Sequence, residues 1–181
     1  MQQVKRFVVI IVILLAVLSL STWQHSFAVA GDLPAATFSL EENKAIARRF
    51  MEDLYNEEDL TVADEIVTPD YVEHYSEGSE RLGPEGLVEC VTFWRTAFPD
   101  LQFTIGDSIA EGDRVVVRWT ARGTHKGEYM GISPTGNRVA FSGITTYRIA
   151  EGKVQEAWWH LDDLGLLEQL GVVWHQVEGA R

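Results

Sequence analysis

The stretch Glu156-Ala157-Trp158-Trp159-His160-Leu161-Asp162-Asp163 gathers the side chains best suited to chemistry. Side chains alternate along an extended chain, so Glu156, Trp158, His160 and Asp162 share one face, and Ala157, Trp159 and Leu161 share the other. If the face of Trp158 and Asp162 looks into a cavity, a carboxylate stands at the end of an apolar pocket. Burial there raises its pKa, and a nearby cation or hydrogen-bond donor lowers it. A carboxylate so poised can take a proton from carbon beside a carbonyl and return it elsewhere. A structural role competes: Asp162 can cap a helix that begins near Leu164, although Asp163 is better placed for that by one position.

The other candidates are weighed in the same way. His74, in Tyr71-Val72-Glu73-His74-Tyr75, is either a histidine bonded to backbone or a proton shuttle that reaches a carbonyl. His125, in Gly123-Thr124-His125-Lys126-Gly127, reads first as a loop anchor. Arg118 lies on the strand face opposite Trp119 and needs a partner if it points inward; a cavity carboxylate would supply one. The expected site therefore has Asp162 and His74 as catalytic candidates, with Trp94, Arg118, His125, Tyr147, Trp158 and His160 binding substrate. His160 and Asp162 with His74 would also satisfy a two-histidine, one-carboxylate metal set. The flanking tryptophans, with no further carboxylate cluster, favour an organic ligand, so neither metal nor cofactor is expected. The chain contains no G-x-S-x-G, H-E-x-x-H, G-x-x-x-x-G-K-[ST] or G-x-G-x-x-G motif.

Positioning these groups requires a framework. Ser39-Leu40-Glu41-Glu42 is a capping box, and Ile46, Phe50 and Leu54 follow at helical spacing, which predicts a helix over 40–56. A shorter helix is expected near 60–67 and a short extended segment over 71–75. Gly83-Pro84 opens a third helix whose buried face carries Leu87, Val91, Trp94 and Phe98. From residue 101 the apolar period changes from near 3.6 to 2. Four strands follow, built around Leu101–Ile105, Val115–Trp119, Val139–Ile149 and Val154–Asp162, with tight turns at Glu111-Gly112-Asp113 and Glu151-Gly152-Lys153. Thr124 to Asn137 is a longer excursion, and a short helix over 164–170 closes the domain. Helices followed by antiparallel strands give an α+β fold, in which helices laid on a curved sheet leave a cone-shaped pocket for a small ligand.

Composition narrows the function classes. The chain has 181 residues, 46% of them hydrophobic, which suits one globular domain. Its formal net charge is −12; residues 1–30 hold Lys5 and Arg6 and no acid, which leaves −14 for residues 31–181. A nucleic-acid partner is not expected of so acidic a body. The single cysteine, Cys90, excludes an internal disulfide and reads as a buried small residue. Residues 1–30 follow the three-part order of a cleavable signal peptide, with Ala28-Val29-Ala30 before the cut; a membrane anchor over 7–23 is the alternative. Export to the periplasm or exterior is thus expected, with residues 31–38 as a flexible lead-in and 172–181 as a tail. Large apolar groups on both faces of the last strand predict cover by a second copy of the chain or by Val172, Val173 and Trp174.

Five blocks in order carry a resemblance: Phe98-Pro99-Asp100-Leu101, Ala110-Glu111-Gly112-Asp113-Arg114-Val115, Gly123-Thr124-His125, Pro134-Thr135-Gly136, and Leu161-Asp162-Asp163-Leu164-Gly165-Leu166-Leu167-Glu168-Gln169-Leu170-Gly171. Together they resemble the SnoaL-like polyketide cyclases, often labelled ester cyclases, which have the nuclear-transport-factor-2-like cone fold. The similarity covers the domain over 39–171. It implies a metal-free intramolecular aldol condensation. An aspartate at the end of the last strand removes an activated proton from a polyketide ester, and the enolate closes a ring onto a ketone. Asp162 matches that aspartate, with Asp163 adjacent, and His74 is similar in placement to a polar residue near the substrate. The alternative function is a non-catalytic binding protein for an apolar, ring-containing ligand in the same cone.

Overall fold

The structure, a computed structural model, describes residues 38–75 and 78–172. The expected signal segment, the lead-in up to residue 37 and the tail from residue 173, including Val173 and Trp174, lie outside the described residues.

Helix α1 (Leu40–Arg49) begins as its capping box dictates. The Glu42 amide donates to Ser39 Oγ at 3.2 Å, and the Ser39 amide donates to Glu42 Oε2 at 2.7 Å. The helix widens into π turns over Phe50–Asn56, which bury Phe50, Met51, Leu54 and Tyr55. A 3-10 turn (Leu60–Val62) and the short α2 (Ala63–Ile66) lead into strand β1 (Val67–Tyr75), which pairs with β2 (Glu80–Leu82). Helix α3 (Gly83–Ala97) takes Pro84 in its first turn and buries Leu87, Cys90 and Val91. Strands β3 (Gln102–Glu111), β4 (Arg114–Thr124), β5 (Arg138–Ala150) and β6 (Lys153–Leu161) run as an antiparallel meander, and α4 (Asp163–Gln169) closes the domain.

The α+β expectation holds, with a larger sheet than the alternation alone indicated. It has six strands in the order β2-β1-β6-β5-β4-β3, because β1 joins β6 in parallel. The segment 71–75, expected to be short, is the end of a nine-residue strand. The strand accommodates Pro69 at an irregularity: Pro69 and Asp70 are exposed, and the β1–β6 register shifts between Val67 and Val72.

The helices cover one face of this sheet. Val115, Val117, Trp119 and Ala121 of β4, Phe141, Tyr147 and Ile149 of β5, and Ala157 and Trp159 of β6 are buried beneath them. The indole N–H of Trp119 donates to Thr145 Oγ1 at 2.9 Å, and its ring meets Trp159 edge-on at 5.6 Å and Phe103 at 5.1 Å. Each large apolar side chain so buried contributes roughly 1.5–3 kcal/mol.

Trp119 also explains a glycine. It pairs across the sheet with Gly143, and its ring lies where a side chain would stand. A Cβ at Gly143 would sit 2.6 Å from Trp119 Cη2 and 2.6 Å from the His160 carbonyl oxygen. Gly143→Ala is therefore expected to lower the unfolding free energy by about 1–3 kcal/mol through overpacking. A urea titration followed by tryptophan fluorescence checks this; an unchanged midpoint would mean that the indole moves aside without cost.

Candidate active site

The direction of the last strand decides what the cavity contains. Ala157, Trp159 and Leu161 turn toward the helices, so Trp158 and His160 turn outward, which reverses the expected face. Both faces of β6 carry aromatic groups, and the core takes Trp159 because it packs with Trp119 and with Tyr55, the latter at 5.5 Å. Trp158 stacks flat on His74 at 5.1 Å and lies under the Arg114 guanidinium at 4.7 Å. His74 Nδ1 is 3.1 Å from Glu80 Oε1, and Arg148 pairs with Glu156 beside it. His74 thus belongs to an outer cluster of stacked rings and ion pairs. Arg118 is exposed and pairs with Asp107 at 2.7 Å, and His160 is exposed. His160 and Asp162 do not join His74 as metal ligands among the described residues.

Three other expected residues lie on the helix-covered side. His125 is buried against Phe98, with ring centroids 5.3 Å apart, and Nδ1 accepts from the Thr135 amide at 3.2 Å. That bond ties the two ends of the excursion together, the anchoring role weighed above. Tyr147 is fully buried against Phe50 at 5.2 Å. Trp94 lines the cavity itself.

The cavity, open on one side where the exposed Arg81 and Glu89 line it, has a volume of about 640 Å³. Tyr75 at the end of β1 and Cys90 of α3 form its floor, and Trp94, Tyr129 and Leu161 form apolar walls. Met130 and Asp163 stand at its mouth, both exposed. The excursion brings Tyr129 into place: the amides of Lys126 and Gly127 donate to the Ala97 carbonyl at 2.9 and 3.0 Å, and the Tyr129 ring rests 5.4 Å from that of Trp94. Gly127 is needed for that approach, since a Cβ would lie 2.8 Å from the Thr96 carbonyl carbon. A second depression, about 520 Å³, is lined by the exposed Asp100, Gln102, Arg122 and Arg138.

Asp162 is the N-cap of α4. It is exposed, and its Oδ1 accepts from the Gly165 amide at 3.0 Å. The adjacent Asp163 opens the helix and borders the cavity, so the cap falls to Asp162 and the cavity edge to Asp163, the reverse of the placement their order suggested.

Among the described residues the buried acid is instead Glu73, which was not among the expected site residues. It is fully buried, and neither carboxyl oxygen has a partner in strict hydrogen-bond geometry. Tyr75, Cys90, Trp159 and Tyr71 direct donors toward it without closing to that geometry. Burial pushes the Glu73 pKa up to about 7 against the pull of those donors. The Tyr75 hydroxyl lies 2.6 Å from Cys90 Sγ, and the Tyr55 hydroxyl lies 3.5 Å from it. Burial and then the charge of Glu73 raise the Cys90 thiol, so Cys90 is no activated nucleophile. A signal for Glu73 was present: Tyr71 and Tyr75 have its parity on the strand, and burying those rings buries the acid between them.

A helix layer over a curved sheet, with an apolar cavity between them, is the frame of the SnoaL-like cyclases, and the family model for SnoaL-like polyketide cyclase matches residues 45–170. The chain belongs to that family. It is 31% identical over 118 residues to the aklanonic acid methyl ester cyclase DnrD of Streptomyces peucetius, an alignment covering 65% of this chain and 79% of that one. Among solved structures, TsrD of Streptomyces laurentii aligns with a TM-score of 0.67 at 29% identity, over 75% of this chain and 99% of its own. AclR of Streptomyces galilaeus, a proposed hydroxylase, aligns with a TM-score of 0.66 at 33% identity, over 77% and 91%. The family model and the DnrD relative support a polyketide cyclase-like function for this chain, and the two solved structures support its fold.

Proposed function

We propose that the chain closes rings in, or isomerises, a small carbonyl compound of polyketide type bound in the cavity between α3, β6 and the excursion. The observation that carries this reading is the open-mouthed cavity of about 640 Å³, walled by Trp94, Tyr129 and Leu161 and bordered by two carboxylates, Glu89 and Asp163, of which Asp163 stands at the end of the last strand. Apolar and aromatic walls hold a folded polyketide chain out of water, and a carboxylate at the mouth meets an acidic C–H between two carbonyls. Asp163 takes that proton, the enolate carbon attacks a ketone carbon of the same molecule, and the alkoxide is reprotonated. The product is an isomer of the substrate. This assigns to Asp163 the role for which Asp162 was the first candidate.

Solvent-deuterium exchange into a β-keto ester tests the reading without requiring the natural substrate. The protein is expected to accelerate exchange at the activated carbon well above the buffer rate, as mass spectrometry reads it. Tight retention of ring compounds with no acceleration would replace it with the binding-protein reading, which the same apolar walls support.

Two parts of the reading rest on sequence pattern. Residues 1–30 would direct export, and intact mass of the secreted chain, cut after Ala30, is the check. A second copy would cover the outer face around Trp158 and the exposed Ile144, which light scattering reads as a dimer mass.

A further inference from the structure

The floor of the cavity holds a group that ring closure by a mouth carboxylate leaves unused. Glu73 is sealed from solvent, and Tyr75 and Cys90 separate it from the cavity while touching both. Groups face it from every packed element. Tyr71 and Tyr75 do so from β1, Tyr55 from the π turns, Cys90 from α3, Tyr147 from β5 and Trp159 from β6. All of these are neutral near neutral pH, since burial raises the tyrosines and the thiol. A carboxyl enclosed this way is costly unless it works or is satisfied, and its oxygens have no strict hydrogen-bond partner.

We propose that Glu73, Tyr75 and Cys90 form an internal proton reservoir opening on the cavity floor, in which the Tyr75 hydroxyl donates to a ligand oxygen and Glu73 resupplies it. Tyr75 is then a catalytic residue and Glu73 a positioning residue acting through it. In the step that follows ring closure, the Tyr75 O–H bond breaks as the alkoxide O–H bond forms. The Glu73 O–H bond breaks as the phenol is restored. The Glu73 carboxylate regains a proton from solvent through the same hydroxyl, matching the one released by the mouth carboxylate, so atoms and charge balance over the cycle. Tyr75 lines the cavity, has its hydroxyl against the Cys90 sulfur and directs it toward Glu73, so one side chain meets both sides. A group that titrates at about 7 can both give and regain a proton near neutral pH, which suits it to this task.

The inference deepens the cyclase reading, and its test needs no turnover. Pentafluorophenol, anionic on both sides of neutrality, serves as a probe that places an oxyanion in the cavity. Wild-type affinity is expected to fall about tenfold from slightly acidic to slightly alkaline pH, as Glu73 ionises behind the donor. Glu73→Gln should abolish the pH step, and Tyr75→Phe should bind about tenfold more weakly below neutrality, with little step. Infrared difference spectra of the wild type should show a protonated-carboxyl band lost with a midpoint near 7. A flat wild-type affinity, a step surviving in Glu73→Gln, or no such band overturns the proposal. If Glu73→Gln does not fold, the infrared titration and Tyr75→Phe decide: a band without an affinity loss in Tyr75→Phe overturns it too. Failure of deuterium exchange with the pH step intact would sink only the cyclase reading, and the reverse result only the reservoir.

Discussion

Glu73→Gln is expected to be more stable than the parent above neutrality by about 3 kcal/mol, and to differ little from it in acid. Burial moves the Glu73 pKa from 4.5 in the unfolded chain to about 7 in the fold. Between these values the folded state holds the proton that the unfolded state has lost, so stability falls as pH rises through this window and then levels off. At about 1.4 kcal/mol for each tenfold change in proton affinity, the window amounts to about 3 kcal/mol. Glutamine keeps the shape of the neutral acid and has no charge to bury.

Other carboxylates act with the opposite sign. The Ser39 amide holds Glu42 below its ordinary value, Thr68 and Gln155 do so for Asp70, and Thr124 for Asp100. Their contribution is lost as pH falls through their lowered values, below the window of Glu73. Urea unfolding of parent and variant at a series of pH values separates the two. The difference between the curves should open between 4.5 and about 7. A constant difference across that range would show that Glu73 stays ionised in the fold.

The framework could be read from the chain because local signals agreed with the tertiary result. Ser39 and Glu42 make the capping box that their spacing announces, Pro84 opens α3, and the change of period at residue 101 marks the meander. The polarity of the last strand could not be read in this way. Trp158 and Trp159 are adjacent and alike, and only the pairing of Trp159 with Trp119 and Tyr55 across the core chooses between them. That choice carried Trp158, His160 and His74 to the outer face together, since His74 and Trp158 are register partners on parallel strands. Trp94 needed no such choice, because the apolar face of a helix is set by its own spacing. Glu73 was hidden by type: an acid reads as solvent-facing unless the parity of the tyrosines around it is followed.

The aspartate pair offers a sharp functional contrast, because neighbours of the same type are held in different ways. Asp163→Asn is expected to slow deuterium exchange into a β-keto ester by roughly a hundredfold or more, the usual worth of a positioned general base. Asp162→Asn should leave exchange within a few-fold of the parent. Asparagine caps a helix about as well as aspartate, so the bond from the Gly165 amide survives and α4 keeps Asp163 at the cavity mouth. Asp162→Ala should cost about 1 kcal/mol in stability by removing that cap, and should loosen the placement of Asp163 rather than the chemistry itself. The exchange rates of the three variants, read beside their urea midpoints, separate a base from a cap. If Asp162→Asn loses the rate and Asp163→Asn keeps it, the cap must leave Gly165 when substrate enters. The proton would then pass to the residue that the family resemblance singles out.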